Sequence, residues 1–288
     1  MKSHRKALLG LLLAALVFLS ACGTSSSPAA EPEAPEDTEA VLTPAEEAEP
    51  TPAPTPVPET PESRAAALGL PAPPDIDITS WEFPIANYYN SVHEFELLDY
   101  AGFEGQGFHY NAYDDLVAFV QACRGAGYRV YATATYRNLE WCINQYARAV
   151  RDLGSAAAAA AADGTIQHGE GVNEHQTGLA VDFTDNAAFS AYYYPYENSG
   201  FEQTEVFAWL YEHCAEYGFI YRYPADKEFY YVASCVEGHF RYVGKEAAKY
   251  IMDNDLCLEE FLLLYDDEAV YHPDLWEAAG KNVVKTTQ

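Results

Sequence analysis

Asn173-Glu174-His175-Gln176-Thr177-Gly178-Leu179-Ala180-Val181-Asp182-Phe183 decides how this chain is read. A histidine and an aspartate stand seven positions apart with a glycine between them. The run from Ala180 to Thr184 is short and apolar apart from that aspartate, which predicts a strand. A turn at Gly178 would let a loop histidine and a strand aspartate converge on one point. Further on comes Val236-Glu237-Gly238-His239-Phe240-Arg241-Tyr242-Val243-Gly244. A catalytic zinc site needs three imidazole or carboxylate ligands and one open position for water. His175, Asp182 and His239 supply three such groups. Glu237 is the candidate general acid/base, because residues two apart on a regular strand face the same side. Histidines and acids at such spacings are also common as structural or solvated groups, so spacing alone leaves both readings open.

Around these two stretches the chain alternates helical and extended patterns. Apolar residues at Leu116, Phe119, Val120 and Cys123 predict a helix over Ala112–Gly127. Tyr128–Thr133 reads as a strand, Leu139–Leu153 as a helix and Glu205–Tyr217 as a helix stopped by Gly218. Phe229–Val236 and His239–Val243 read as strands, and Lys245–Asp253 and Leu258–Tyr265 as closing helices. There is no βαβ rhythm, so the class is α+β. Seven consecutive alanines, Ala156–Ala162, read as a surface insertion without chemistry. His168 and Glu170 read either as cleft residues or as solvated loop. Tyr192-Tyr193-Tyr194-Pro195-Tyr196 reads either as a wall for glycan or peptide or as packing over a sheet edge.

The N-terminal part has another character. Lys2, Arg5 and Lys6 precede an apolar run from Ala7 to Leu19, shorter than the ~20 residues of a membrane span. The run has the flanks of a signal peptide. It ends in Leu19-Ser20-Ala21-Cys22, which resembles a lipobox whose cysteine is lipidated; the alternative is an ordinary secretory signal. Gly23 to about Pro74 is Pro, Ala, Glu, Thr and Ser, too poor in large apolar groups to offset the entropy of ordering. It reads as an extended stalk, or alternatively as a processed pro-segment. These patterns divide the 288 residues into a signal peptide (1–21), a lipidated stalk (22–79), a globular domain (80–272) and a tail (273–288). The predicted location is extracytoplasmic and lipid-anchored. The formal charge of −28 disfavours a nucleic-acid partner. Beyond Cys22 there are five cysteines and no C-x-x-C pair, which disfavours a thiolate zinc cluster. A Cys235–Cys257 disulfide and small buried thiols are both open readings.

The residues from Asn173 to Asp182 resemble the S-x-H-x-x-G-x-A-x-D pattern of the zinc D-alanyl-D-alanine carboxypeptidases, VanY-like enzymes related to the L,D-carboxypeptidases of cell-wall turnover. Asn173 stands in place of the serine. The family's second block, roughly E-P-W-H-F-R-Y-V-G, is echoed from Glu237 to Gly244. Thr135-Tyr136-Arg137 echoes an S-x-Y-R block, and Tyr217–Ile220, Arg222-Tyr223-Pro224 and Lys227 also fit. The resemblance spans about Leu97 to Leu264. It implies a small, mainly antiparallel sheet flanked by helices, like the Hedgehog and D,D-peptidase fold. It implies Zn2+ held by His175, Asp182 and His239, with Glu237 as acid/base. It further implies that Arg137, Tyr136 and Gln176 contact substrate, with Arg137 gripping a carboxylate. The implied activity is removal of a C-terminal D-alanine from peptidoglycan stem peptides by a monomer. Three departures stand out. The family places its glutamate three residues before the last histidine, where this chain has Val236. Gly238 takes the place of the family's tryptophan, and Cys142 that of a frequent glutamine. A non-catalytic peptidoglycan- or zinc-binding lipoprotein and a stem-peptide endopeptidase are the alternatives.

Overall fold

The computed structural model describes residues 60–87, 90, 100–104, 106–155, 173–186, 200–227 and 237–271. All lie in the unit Pro56–Gln288. The leader with Cys22, most of the stalk, the alanine run, His168, Glu170, the Tyr192–Tyr196 cluster, the 229–236 strand with Cys235, and the tail lie outside the described residues.

Four strands form the central sheet: β3 (Tyr131–Ala134), β4 (Ala180–Thr184), β5 (Phe219–Tyr221) and β6 (His239–Tyr242). Their order is β3-β4-β6-β5, and every pairing is antiparallel. A hairpin of β1 (Tyr100–Phe103) and β2 (Gln106–His109) stands beside it as a separate sheet. The small antiparallel sheet flanked by helices agrees with the predicted architecture.

Side-chain alternation gives the central sheet two faces with different tasks. Val181, Phe183, Phe219, Phe240 and Tyr242 point into one core. There they meet α2 (Tyr113–Gly125) through Leu116, Phe119, Val120 and Cys123, and α4 (Glu205–His213) through Val206 and Leu210. The 3-1-3 spacing of the α2 residues places them on one helical stripe, and Asp114, Asp115 and Arg124 sit at the ends where the helix dipole favours them. Phe119 is the hub, with ring centroids 5.3 Å from Tyr217 and Phe219 and 5.7 Å from Phe183.

The opposite face carries Asp182, His239 and Arg241. Beside them lies a second core of Ile220, Val243, α5 (Lys245–Asp253) and α6 (Leu258–Tyr265). Part of this core comes from upstream. Helix α1 (Pro61–Ala67), capped by Thr60, buries Ala65 there, and Phe83 and Ile85 follow. Tyr250 and Tyr265 donate their hydroxyls to the carbonyls of Pro71 and Pro74, at 2.7 and 2.6 Å. Residues 60–79, assigned from composition to the stalk, are therefore packed against the domain. Proline at the first helical position and a Thr60–Ser63 capping box make a helix from a segment poor in large apolar groups.

Smaller differences have local causes. The expected strand at 128–133 begins at Tyr131, because Ala126 and Gly127 (φ 96) close α2 and Tyr128 still bonds back to Cys123. The helix expected to reach Tyr217 ends at His213, and its last turn, Cys214–Tyr217, tightens to 3-10 geometry before Gly218. Helix α3 (Leu139–Leu153) has the expected limits, set by the Asn138 cap and by Gly154 at φ 82. Cys123, Cys142, Cys214 and Cys257 are buried thiols. Burial raises their pKa, to about 11 at Cys123 and about 12 at Cys142 and Cys214, which fits the reading of small buried hydrophobes.

Candidate metal centre

The turn that opens the decisive stretch is built from its own side chains. Asn173 caps the 3-10 turn Glu174–Thr177, its Oδ1 accepting from the His175 amide at 3.0 Å. Gln176 reciprocates, its Oε1 accepting from the Asn173 amide at 3.4 Å. Gly178, at φ 70, reverses the chain, and β4 then carries Asp182 back past His175. Asp182 also pairs with His239 across the β4–β6 ladder, so those two side chains lie side by side on one face. The ligand atoms of His175, Asp182 and His239 all lie within 4.8 Å of one another, and all three residues are buried.

Each ring is held from behind. The Nδ1 of His175 is 2.7 Å from the Thr135 carbonyl, which can only accept, so Nδ1 carries a proton there. Its Nε2 then faces Asp182 Oδ2 at 3.1 Å. His239 is the mirror case: Nε2 donates to Glu174 Oε2 at 2.9 Å and Nδ1 faces Asp182 Oδ1 at 2.7 Å. Two imidazole nitrogens and a carboxylate thus converge, a donor set that suits Zn2+ and is compatible with other divalent metals of similar preference. Burial holds the His175 pKa down to about 4, with Asp182 opposing. At His239 burial also favours the neutral ring, but hydrogen bonds and charge from Asp182 and Glu174 outweigh it, and the pKa rises. Burial works against ionised Asp182 too, yet the two histidines hold it well below the usual carboxylate range. A metal would take the place of the proton that His239 Nδ1 shares with Asp182.

Arg137 lies against this cluster. Its amide donates to the His175 carbonyl at 3.1 Å, and its guanidinium is 3.6 Å from Asp182 Oδ2 and stacked 4.4 Å over Trp141. The same side chain lines a cavity of about 540 Å³ together with Tyr100, Gln106, Tyr136, Asn138 and Trp141. Tyr136 stacks on Tyr100 at 5.6 Å, so the β1–β2 hairpin supplies one wall. Arg137 and Tyr136 are thus brought to a cleft beside the metal ligands. Gln176 is buried in the capping box described above. Glu237 is half-buried, and its carboxylate accepts from the Glu202 amide at 3.3 Å. Strand β6 begins at His239, and Gly238 is left-handed at φ 82. The alternation that would set Glu237 beside His239 does not run through that glycine.

A buried charge network behind His239 was not expected from the sequence. Glu174 Oε1 accepts from Arg222 Nε at 3.0 Å and from an Arg241 terminal nitrogen at 2.8 Å. Glu259, on α6, grips Arg222 with both oxygens at 2.5 and 2.8 Å. Arg241 also donates to the carbonyls of Glu82 and Pro84. Two arginines and two glutamates cancel formally, which is the condition for keeping such charges buried. Burial opposes ionisation of Glu174, but Arg222 and Arg241 hold its pKa well below normal. Tyr223, at φ 71, lays its ring over His239 with centroids 5.1 Å apart. The only available signal in the sequence was position: Glu174 precedes His175, and Arg222 and Arg241 stand in the family-like blocks.

Residues 106–245 match the model of the VanY family, D-alanyl-D-alanine carboxypeptidase. YodJ of Bacillus subtilis, a carboxypeptidase by its name, is 34% identical over 156 residues, which are 52% of this chain. The chain spans about half of YodJ, 51% of its length. A structure of the vancomycin-resistance D,D-pentapeptidase VanY from a VanB-type cassette, a mutant in complex with Zn(II), superposes with a TM-score of 0.54. It is 30% identical and covers 64% of this chain and 99% of its own. The LD-carboxypeptidase LdcB aligns with a TM-score of 0.50 and 28% identity, over 64% of this chain and 86% of its own. Sequence, fold and site geometry agree that the chain belongs to the VanY D-alanyl-D-alanine carboxypeptidase family.

Proposed function

We propose that this protein is a zinc-dependent carboxypeptidase that removes the C-terminal D-alanine from peptidoglycan stem peptides. The observation that carries the reading is the convergence of His175 Nε2, Asp182 and His239 Nδ1, each ring fixed by a partner on its far side. Zinc held there would polarise a scissile carbonyl and acidify a water. Arg137 lies where the cleft meets the cluster, so its guanidinium suits the free carboxylate of a peptide end. That contact would select exopeptidase action. Tyr100, Tyr136 and Trp141 would hold the stem beside it, and the buried floor limits water. We assign proton transfer to Glu237: its carboxylate takes the proton from the attacking water and gives it to the leaving amine. That role requires the side chain to turn from the Glu202 amide toward the cleft.

The same Glu237–Glu202 contact favours a second reading, a domain that binds stem peptides without cleaving them. We further propose that Cys22 carries a lipid that holds the domain at the outer face of the cell membrane, because charge, apolar run and lipobox coincide in sequence.

The test is mass spectrometry of purified muropeptides incubated with the zinc-loaded full-length protein, wild type and Glu237→Ala, using pentapeptide and tetrapeptide stems separately. Loss of one alanine by wild type, reduced by about 100-fold or more in Glu237→Ala, is expected. The stem that is trimmed separates D,D- from L,D-type action. No trimming of either stem by zinc-bound wild type would favour the binding reading.

A further inference from the structure

Glu174 touches the ring of His239 from the side away from the cluster, and the way its two oxygens are used points to a task. Oε1 accepts from both Arg222 and Arg241, at 3.0 and 2.8 Å. Oε2 accepts from His239 Nε2 at 2.9 Å. One oxygen is saturated by cations and fixes the carboxylate; the other faces the imidazole. Arg222 is itself immobilised by the two-pronged grip of Glu259 from α6. Tyr223 covers the face of the imidazole with the planes 27° apart, so the ring is constrained in plane as well as in edge.

We propose that Glu174 is a positioning residue: it keeps the His239 proton on Nε2 and thereby presents Nδ1 to the metal. The inference rests on the zinc reading and adds to it the way this ligand is chosen. The two ligand histidines are served differently. His175 is held by a neutral backbone carbonyl, His239 by a carboxylate whose charge also makes the ring a stronger donor to a cation. The helix α6, in the second core, therefore reaches the metal centre through Glu259, Arg222, Glu174 and His239 in turn.

A purely structural role for Glu174, as counter-ion to two buried arginines, makes different predictions. In Glu174→Gln the amide oxygen can still accept from the arginines. The amide nitrogen then faces His239 Nε2 as a donor and drives the ring proton onto Nδ1, the atom the metal needs. Glu259→Gln weakens the arginine network without changing what faces His239.

The experiment measures zinc affinity of the full-length protein by competition with a chromophoric chelator, for wild type, Glu174→Gln and Glu259→Gln. Long-range proton–nitrogen NMR of the histidines in zinc-loaded wild type accompanies it. The expected result is a loss of roughly 10- to 100-fold in zinc affinity for Glu174→Gln, a far smaller loss for Glu259→Gln, and His239 protonated at Nε2. Equal affinity of Glu174→Gln and wild type, or equal losses in the two variants, would overturn the proposal. So would a wild-type spectrum with the His239 proton on Nδ1, which decides the matter even if Glu174→Gln does not fold. Failure of wild type to bind zinc would instead remove the reading on which the proposal stands.

Discussion

At the scale of residues, His175, Asp182, His239 and Glu174 make the chelator-treated protein sensitive to pH in a defined sense. The His175 pKa falls from 6.5 to about 4 on folding. Between those values the unfolded chain holds more protons, so stability drops as pH falls through this window, at up to about 1.4 kcal/mol per pH unit. Glu174 and Asp182 are also depressed, and their contribution is lost at still lower pH. His239 is raised, so its contribution is full below 6.5 and is lost as pH rises through its folded value. Melting curves in a chelator should therefore be highest near pH 6.5 and fall on both sides, more steeply toward acid. A melting temperature that held constant or rose between pH 6.5 and 4.5 would contradict the assignment of His175 as a buried neutral ring.

At the scale of elements, the register between β4 and β6 puts Asp182 beside His239, and the turn before β6 protects that register. Gly238 donates nothing with a side chain, but its carbonyl accepts from the Phe183 amide at 2.9 Å. A Cβ on Gly238 would stand 2.4 Å from the Phe183 carbonyl oxygen and 3.0 Å from the ring of Phe201, and the residue is at φ 82. Backbone cannot yield as a flexible side chain can. Gly238→Ala is expected to cost at least ~2 kcal/mol from the left-handed conformation and the clash together. Because the strain falls on the β4–β6 pair, zinc affinity should fall with stability. Chemical denaturation and chelator competition check this; an alanine variant as stable as wild type would show that the turn relaxes freely. The same glycine explains why Glu237 was harder to place than His239. Strand alternation is legible in Phe240, Arg241 and Tyr242, but it stops at a left-handed residue whose conformation no pattern of polarity reveals.

At the scale of the whole molecule, what was legible in the sequence was what obeys a period or a local turn rule. The α2 stripe, the Asn138 and Gly154 ends of α3, and the His175–Asp182 loop and strand are of this kind. The β1–β2 hairpin was not, because Gly102, Gly105 and Gly107 lower strand propensity where Tyr100 packs over Tyr136. The Glu174–Arg222–Glu259 network was not, because residues distant in sequence meet only when the second core forms. The packing of residues 60–79 is hidden in the sequence for a related reason: helix α1 is held by distant partners. Ala65 is fully buried against that core, and the Tyr250 and Tyr265 hydroxyls fasten Pro71 and Pro74. A chain beginning at residue 80 loses all of these. The two hydrogen bonds contribute about 1 kcal/mol each, and Ala65, Leu70, Ile76 and Ile78 add apolar contact with the second core. Relative to a chain beginning at residue 60, a loss of at least ~3 kcal/mol is expected. For a domain of this size that lowers the melting temperature by roughly 6–12 °C. Glu82 and Pro84, whose carbonyls accept from Arg241, directly follow the removed residues and would become part of a free chain end, so the shorter chain should also hold zinc less tightly. Coincident melts and equal zinc affinity for the two chains would mean that residues 60–79 merely lie on the domain; a joint decline would mean that the segment before the domain is part of what holds the metal ligands in place.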